Sequence, residues 1–244
     1  MNYNRFISKC IIALLSCIIG LSSCGNKNKI PTNEILYTTV DNSVLPIKDS
    51  YNFGEGRIVS NSYVPDKNVC ILKLDKDVTE IEKRAFSRCS SLTSISIPES
   101  VTEIGECAFF HCSSLTSISI PPSVTEIGHR AFLGCSSLTS ITVSKDNKVY
   151  DSRENCNAII HTESNTLISG CKNTTIPESV TKIGEWAFCA CSSLTSITIP
   201  ESVTEIGEYA FSGCSSLTEV RIPKDCHVDE FAFEDCPNVQ IIRY

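Results

Sequence analysis

The 15 cysteines in this 244-residue sequence are the first candidates for chemistry, because thiols form disulfides, bind metals and act as nucleophiles. Six of them recur at a regular step along the chain: Cys89, Cys112, Cys135, Cys191, Cys214 and Cys236. Stacked residues of one repeat position point the same way, which keeps their Cβ atoms further apart than the ~3.8 Å of a disulfide. We therefore predict free thiols that are buried as small hydrophobic side chains.

The remaining cysteines give no clear site. Cys156 and Cys171 do not follow the repeat spacing, and the sequence is compatible with either a disulfide between them or two free thiols. Cys189 and Cys191 have one residue between them and no second pair or clustered histidine, which is not a zinc spacing. We predict no metal site and no cofactor.

No arrangement of residues indicates catalysis. The four histidines fall at different repeat positions, so we expect them not to cluster: His111, His129, His161 and His227. None accompanies a plausible nucleophile and an orienting carboxylate. The serines recur in the block "CSSLTS", as scaffold residues do, whereas a catalytic serine would be an exception. We predict that the protein is not an enzyme.

Glutamates recur as well, and their charge bears on partners. One column has Glu80, Glu103, Glu126 and Glu205, interrupted by Lys182, and another has Glu106, Glu185 and Glu208. Such columns could hold calcium, but no Asp/Asn/Gly calcium loop is present, which favours a solvated outer face. The net charge is −7 and the pI about 5.2, which argues against nucleic acid as a partner.

The N-terminus has the pattern of an export signal. Arg5 and Lys9 precede a short apolar run that ends at Leu21-Ser22-Ser23-Cys24. This order looks like a bacterial lipobox, in which Cys24 receives the lipid; the alternative is an ordinary signal peptide with a chance cysteine. Removing residues 1–23 would take away two basic residues and no acidic ones, shifting the net charge from −7 to −9. Residues 24–32 are predicted to be a flexible tether.

Internal repetition is the strongest feature of the sequence. Coils starting at Pro98, Pro121, Pro177 and Pro200 share nearly the same sequence, and a truncated coil starts at Pro223. In each coil an alternating segment such as Leu92–Ile97 predicts a short strand, and the proline ends it. One coil cannot bury its apolar edge, whereas stacked coils do. The pattern predicts a solenoid with strands on one face and turns or short 3₁₀ or α segments on the other.

The predicted core consists of columns of equivalent residues from successive coils. The aromatic column is Phe86, Phe109, Phe132, Phe188, Phe211 and Phe233, and aliphatic columns run through Leu92 to Leu217 and Val101 to Val203. The strand positions that point away from the core form a strip of hydroxyl groups with charges at its ends. This candidate binding strip consists of Ser94, Ser96, Ser117, Ser119, Ser140, Thr142, Ser196, Thr198, Glu219 and Arg221. Small hydroxyl residues also suit a half-exposed strand, so the strip could be scaffold alone.

The blocks "IPESVTEIG" and "AFxxCSSLTSI" resemble the BspA-like leucine-rich-repeat family over residues 69–244. Residues 33–68 resemble that family's entry module, where apolar runs around Asp41-Asn42-Ser43 predict a β-hairpin cap. The pattern fails at 144–175, which we interpret as an irregular coil with its own hairpin inside one solenoid.

The resemblance implies a cell-envelope lipoprotein that binds proteins, such as host matrix or cell-surface proteins, and mediates adhesion. We expect export, lipid anchoring as the only membrane attachment, surface display rather than a periplasmic position, and a monomer. The alternatives are a glycan-binding accessory protein, which would need exposed aromatic side chains on the strand face, and a purely structural envelope component.

Overall fold

The structure is a computed structural model that describes residues 30–47 and 53–244. The predicted signal segment, the Cys24 anchor and most of the tether lie outside the described residues. Residues Thr32–Tyr244 form one compact unit.

Each coil contributes two strands, and equivalent strands of successive coils run parallel. The longer ones are β5 (Leu92–Ile95), β7 (Ser117–Ile120), β9 (Ser140–Val143), β14 (Ser196–Thr198), β16 (Glu219–Ile222) and β18 (Gln240–Arg243). The shorter ones are β4 (Glu80–Ile81), β6 (Glu103–Ile104), β8 (Glu126–Ile127), β13 (Lys182–Ile183), β15 (Glu205–Ile206) and β17 (His227–Val228). The register pairs Ser117 with Ser140 and Glu103 with Glu126, one repeat apart. The predicted solenoid is confirmed.

The side of the coil opposite the longer strands is built from hydrogen-bonded turns, called outer turns below. The residue before each Ala-Phe pair has a left-handed backbone in five coils, as at Cys107 (φ 57°) and Trp186 (φ 60°). A second left-handed residue follows four positions later, as at His111 (φ 55°). Two such residues in a short segment prevent helix propagation, so turns occupy the positions where short helical pieces were also expected.

The predicted Phe column lies in the interior. Phe86, Phe109 and Phe132 stack with ring centroids 5.4 Å apart, and Phe188, Phe211 and Phe233 stack at 4.9 and 5.1 Å. Five of the six side chains are buried, and Phe233 in the last coil is half-buried. The predicted leucine and valine columns are buried beside them.

The recurrent cysteines and threonines connect successive coils through hydrogen bonds. The Cys135 thiol donates to the Phe109 carbonyl at 3.2 Å, and Cys112, Cys214 and Cys236 make the equivalent bond at 3.0 to 3.1 Å. Threonine hydroxyls donate in the same way to the threonine one coil earlier, as Thr116 does to Thr93 at 3.1 Å. The cysteine and the threonine of "CSSLTS" therefore link successive coils.

An antiparallel sheet covers the N-terminal edge of the solenoid. It contains β1 (Glu34–Thr39), β2 (Ile58–Val64), the 3₁₀ turn Pro65–Lys67 and β3 (Val69–Leu74), in the order β2-β3-β1-β5. The turn at Asp41-Asn42-Ser43 forms, but the residues after it do not return as a strand, so the hairpin predicted there is wrong. The hairpin is β2–β3, and β1 pairs with β5 instead because an edge strand needs a partner.

The irregular segment after β9 inserts extra strands between two regular coils. It forms β10 (Tyr150–Asp151), the 3₁₀ turn Arg153–Asn155, β11 (Ala158–His161) and β12 (Thr166–Gly170). β11 and β12 form a hairpin, and β12 pairs in parallel with β13 of the next coil. Ile159 packs in the N-terminal half of the core and Ile160 in the C-terminal half. The hairpin thus connects the two halves.

Candidate functional site

The candidate binding strip runs along the outward side of the longer strands. Ser119, Thr142, Ser196, Thr198 and Arg221 are exposed, whereas Ser117, Ser140 and Glu219 are half-buried. Parallel pairing places the strip residues of neighbouring coils side by side, as Ser119 beside Thr142 and Thr198 beside Arg221. The exposed part of the strip therefore begins at β7.

The first two predicted strip residues are engaged by the N-terminal sheet. The Ser94 hydroxyl lies 2.7 Å from the Thr38 hydroxyl across the β1–β5 pair. Ser96 is buried, accepts a hydrogen bond from the Leu36 amide and donates one to the Leu36 carbonyl. These groups hold β1 against β5, so neither is available to a partner in the way the exposed positions are.

An anchor residue that the sequence analysis missed lies at the C-terminal end of the strip. The Arg221 guanidinium lies 5.7 Å from the ring centroid of Tyr244, and the Tyr244 hydroxyl donates to the Ile199 carbonyl at 2.6 Å. Tyr244 follows β18, one coil beyond Arg221, and its repeat position alone did not indicate this contact.

The described cysteines singled out in the sequence are free thiols, and one of the predicted glutamate columns lies on neighbouring short strands. Cys156 and Cys171 are free and buried. Burial raises the pKa of Cys135 and Cys191 to about 12. Glu80, Glu103 and Glu126 lie side by side on β4, β6 and β8, and burial followed by repulsion from Glu103 raises the pKa of Glu80. Across the described part of the chain, no group of three or more His, Cys, Asp or Glu side chains is placed to hold a metal.

A cavity of about 570 Å³, called the outer cleft below, opens between the outer turns at 128–135 and 184–191. Its floor contains Phe132, Leu138 and Phe188, and its rim includes His129, Arg130 and Glu185. His161, expected not to cluster with the other histidines, lines this cleft with His129. The sequence analysis missed the cleft because it forms only where the inserted hairpin separates two coils.

A stack of aromatic rings continues from the rim of the outer cleft. Trp186, Tyr209 and Phe231 hold the position before Ala-Phe in three successive coils, with ring centroids 4.3 and 5.5 Å apart. Arg130 holds that position across the cleft, and its guanidinium lies 3.9 Å from the Trp186 ring centroid. Comparing this one position between coils would have revealed the stack from the sequence.

The family model for the BspA type leucine rich repeat region matches this chain in six copies, over residues 57–169 and 158–244. Proteins built from such repeats are generally binding modules without catalytic activity.

Solved structures of bacterial repeat proteins are similar to the chain. A leucine rich cell surface protein from Faecalibacterium prausnitzii is 29% identical, with a TM-score of 0.42 and coverage of 68% of this chain and 57% of that one. A leucine-rich repeat protein from Bacteroides ovatus is 33% identical, with a TM-score of 0.48 and coverage of 69% and 41%. The T. pallidum leucine rich repeat protein is 23% identical, with a TM-score of 0.35 and coverage of 76% and 68%.

The chain thus aligns with 57% and 41% of the length of the first two proteins. No curated protein matches it. Within the described ranges, no helix is long and apolar enough to cross a membrane.

Proposed function

The chain belongs to the BspA-type leucine-rich-repeat family, and from this premise we propose that it is a lipid-anchored surface protein that binds another protein and mediates adhesion. The observation that carries the proposal is the exposed hydroxyl strip that ends at Arg221 and Tyr244. Extended solenoid faces are common binding surfaces, and arginine and tyrosine are enriched among residues that dominate binding energy. Catalysis has no part in this proposal.

The proposed partner is a protein of the host matrix or of another cell surface, bound by a monomer. Hydroxyl groups on rigid strands can hydrogen-bond a partner's main chain with little loss of side-chain entropy. Arg221, held over the Tyr244 ring, is suited to a carboxylate. The sugar-binding alternative would need exposed aromatic rings along the strand face. In the described strip Tyr244 is the one such ring, and the rings of Trp186, Tyr209 and Phe231 stack on one another away from that face, so this alternative is less well supported.

Binding is tested by adding purified wild-type and variant protein to a panel of immobilised extracellular-matrix proteins. We expect the double variant Arg221→Ala with Tyr244→Ala to bind at least about tenfold more weakly, the effect of losing one charge-assisted contact. Arg84→Ala, which removes an exposed cation from an outer turn on the other side of the coil, is the matched control and should bind like wild type. Equal binding by both variants would contradict the role of the strip.

Anchoring and display are tested in the native bacterium. The wild-type chain should partition with membranes and be cleaved when intact cells are treated with protease. Cys24→Ala should release the protein from the membrane fraction. Complete protection of the wild-type chain from protease would favour a periplasmic position instead.

A further inference from the structure

The outer cleft exists because one coil of the solenoid has no outer turn. Residues 144–175 supply β10, β11 and β12 but lack the Ala-Phe-x-x-Cys segment from which the other coils build theirs. The turns of the flanking coils therefore face each other across a gap. Just after these turns the two coils are in contact, and the Ser193 hydroxyl donates to the Ser136 carbonyl at 2.7 Å.

The missing turn leaves hydrogen-bonding groups without their usual partners. In the preceding coil, the amides of Cys107, Phe109 and His111 donate to carbonyls of the next outer turn. The equivalent amides belong to Arg130, Phe132 and Gly134. In the part of the chain that the structure describes, none of these three amides reaches a carbonyl across the cleft. On the far wall, the Gly170 amide donates a hydrogen bond to the Ala187 carbonyl at 2.8 Å. One wall thus offers a row of main-chain donors.

The aromatic column is interrupted beneath the outer cleft. Neighbouring rings stack at 5.4 Å up to Phe132 and at 4.9 and 5.1 Å from Phe188 onward. Between Phe132 and Phe188 no stacking contact forms, because Gly170 packs against the Phe188 ring, and both rings are almost fully buried. The cavity of about 570 Å³ has both rings and Gly170 among its lining residues, and its volume is within the ~300–1,000 Å³ of typical ligand sites. Because the lining also includes Leu138 and Ile168, an apolar aromatic side chain suits it.

The rim adds a positive charge that the chain does not neutralise. Arg130 is exposed and forms no ion pair with a carboxylate of the described residues, although the chain carries a net charge of −7. The Trp186 ring holds its guanidinium on one face, which leaves the N–H edge for hydrogen bonds. His129, 3.7 Å from Glu185, is the neighbouring group on the rim. A carboxylate is the complementary charge.

We propose that the outer cleft binds a short peptide segment of a partner protein that carries an aromatic side chain next to an acidic one. The aromatic ring occupies the cavity beside Phe132, Ile168 and Gly170, the carboxylate pairs with Arg130, and the peptide carbonyls accept from the row of free amides. This site lies on the outer turns, away from the strip, and does not depend on the adhesion proposed above.

The test uses blocked synthetic pentapeptides and the wild-type protein. The probe is acetyl-Gly-Glu-Phe-Glu-Gly-amide, and its two controls replace both glutamates by glutamine or the phenylalanine by alanine. Titration is followed by calorimetry and by the fluorescence of Trp186, the one tryptophan of the sequence. We expect saturable binding of the probe with a change in Trp186 emission, and at least about tenfold weaker binding of each control peptide.

Paired variants locate the site. Arg130→Gln should weaken probe binding at least about tenfold, because it removes the charge-assisted bonds. Arg84→Gln is the matched control, since Arg84 holds the same coil position with the same left-handed backbone away from the cleft, and it should bind like wild type. Ser169→Phe, which fills the cleft, should abolish binding while circular dichroism reports a folded protein. If that variant does not fold, the comparison of Arg130→Gln with Arg84→Gln still tests the proposed site.

Four results would overturn the proposal. Absence of saturable binding to the wild-type protein at millimolar probe would be the first. Equal binding by Arg130→Gln and Arg84→Gln would be the second, because charge at the cleft would then be irrelevant. Tighter binding of phenylacetate than of the peptide would be the third, because the ligand would then be a small organic anion. Loss of probe binding in the Arg221→Ala and Tyr244→Ala variant would also contradict a site separate from the strip.

Discussion

At the scale of single residues, the buried phenylalanines carry the stability of each coil. Phe109 lies between two parallel rings and is fully buried, whereas its neighbour Phe110 is half-buried. We expect Phe109→Ala to lower the free energy of unfolding by about 3–5 kcal/mol, because it removes apolar contacts and leaves a cavity. Phe110→Ala, with the same change in chemistry, should cost clearly less. Urea denaturation measures both, and equal losses would contradict the interior column.

The column thiols illustrate how burial controls reactivity at the same scale. A pKa of about 12 for Cys135 and Cys191, caused by burial, leaves almost no thiolate at pH 8. We expect iodoacetamide to leave these two cysteines unmodified in the folded protein and to alkylate them in urea, as read by peptide mass spectrometry. Rapid alkylation of Cys135 without denaturant would show that the column is open to solvent.

At the scale of elements, the short parallel strands place like charges side by side. The raised pKa of Glu80 means that ionisation of this carboxyl is less favourable in the folded state than in the unfolded chain. Its contribution to stability is therefore present below the ordinary pKa of 4.5 and is lost as the pH rises through the raised value. We expect Glu103→Gln to increase stability at pH 7 by about 0.2–1 kcal/mol and to have less effect at pH 4.

The control for this prediction is Glu205→Gln on β15. Glu205 has the same coil position as Glu103 but lies on the C-terminal side of the insertion. Glu205 faces Lys182, with nitrogen and oxygen 2.8 Å apart, so this variant loses an attraction. Thermal unfolding at both pH values should give opposite signs for the two substitutions at pH 7. A loss of stability in Glu103→Gln at pH 7 would contradict repulsion along the strand column.

At the scale of the whole molecule, the inserted hairpin couples the two halves of the core. Ile159 packs with the N-terminal half and Ile160 with the C-terminal half, and both are fully buried. We expect the wild-type unit Thr32–Tyr244 to unfold in one cooperative transition. The double variant Ile159→Ala with Ile160→Ala should show two transitions in calorimetry, because each truncation costs about 2–5 kcal/mol at the junction. A single, uniformly shifted transition would mean that the halves are coupled elsewhere.

Residue type and spacing were enough to predict the solenoid, the members of the core columns and the free state of the repeated thiols. This was possible because each coil contacts mainly its neighbours, so a repeated residue has a repeated environment. Phe109 and Cys135, for example, could be placed from their spacing alone. The strip from Ser117 to Arg221 was recognised in the same way, and its role stays a proposal.

The arrangement of the chain where the repetition stops could not be predicted from spacing and became clear from the three-dimensional structure. The pairing of β1 with β5 depends on which strand edge is left open, and this edge has no local signal near Asp41. The outer cleft likewise depends on the absence of one turn from residues 144–175, and it brings Arg130 to Trp186 across 56 residues of chain. Contacts across an irregular insertion follow from the three-dimensional path of the backbone, which no periodic pattern encodes.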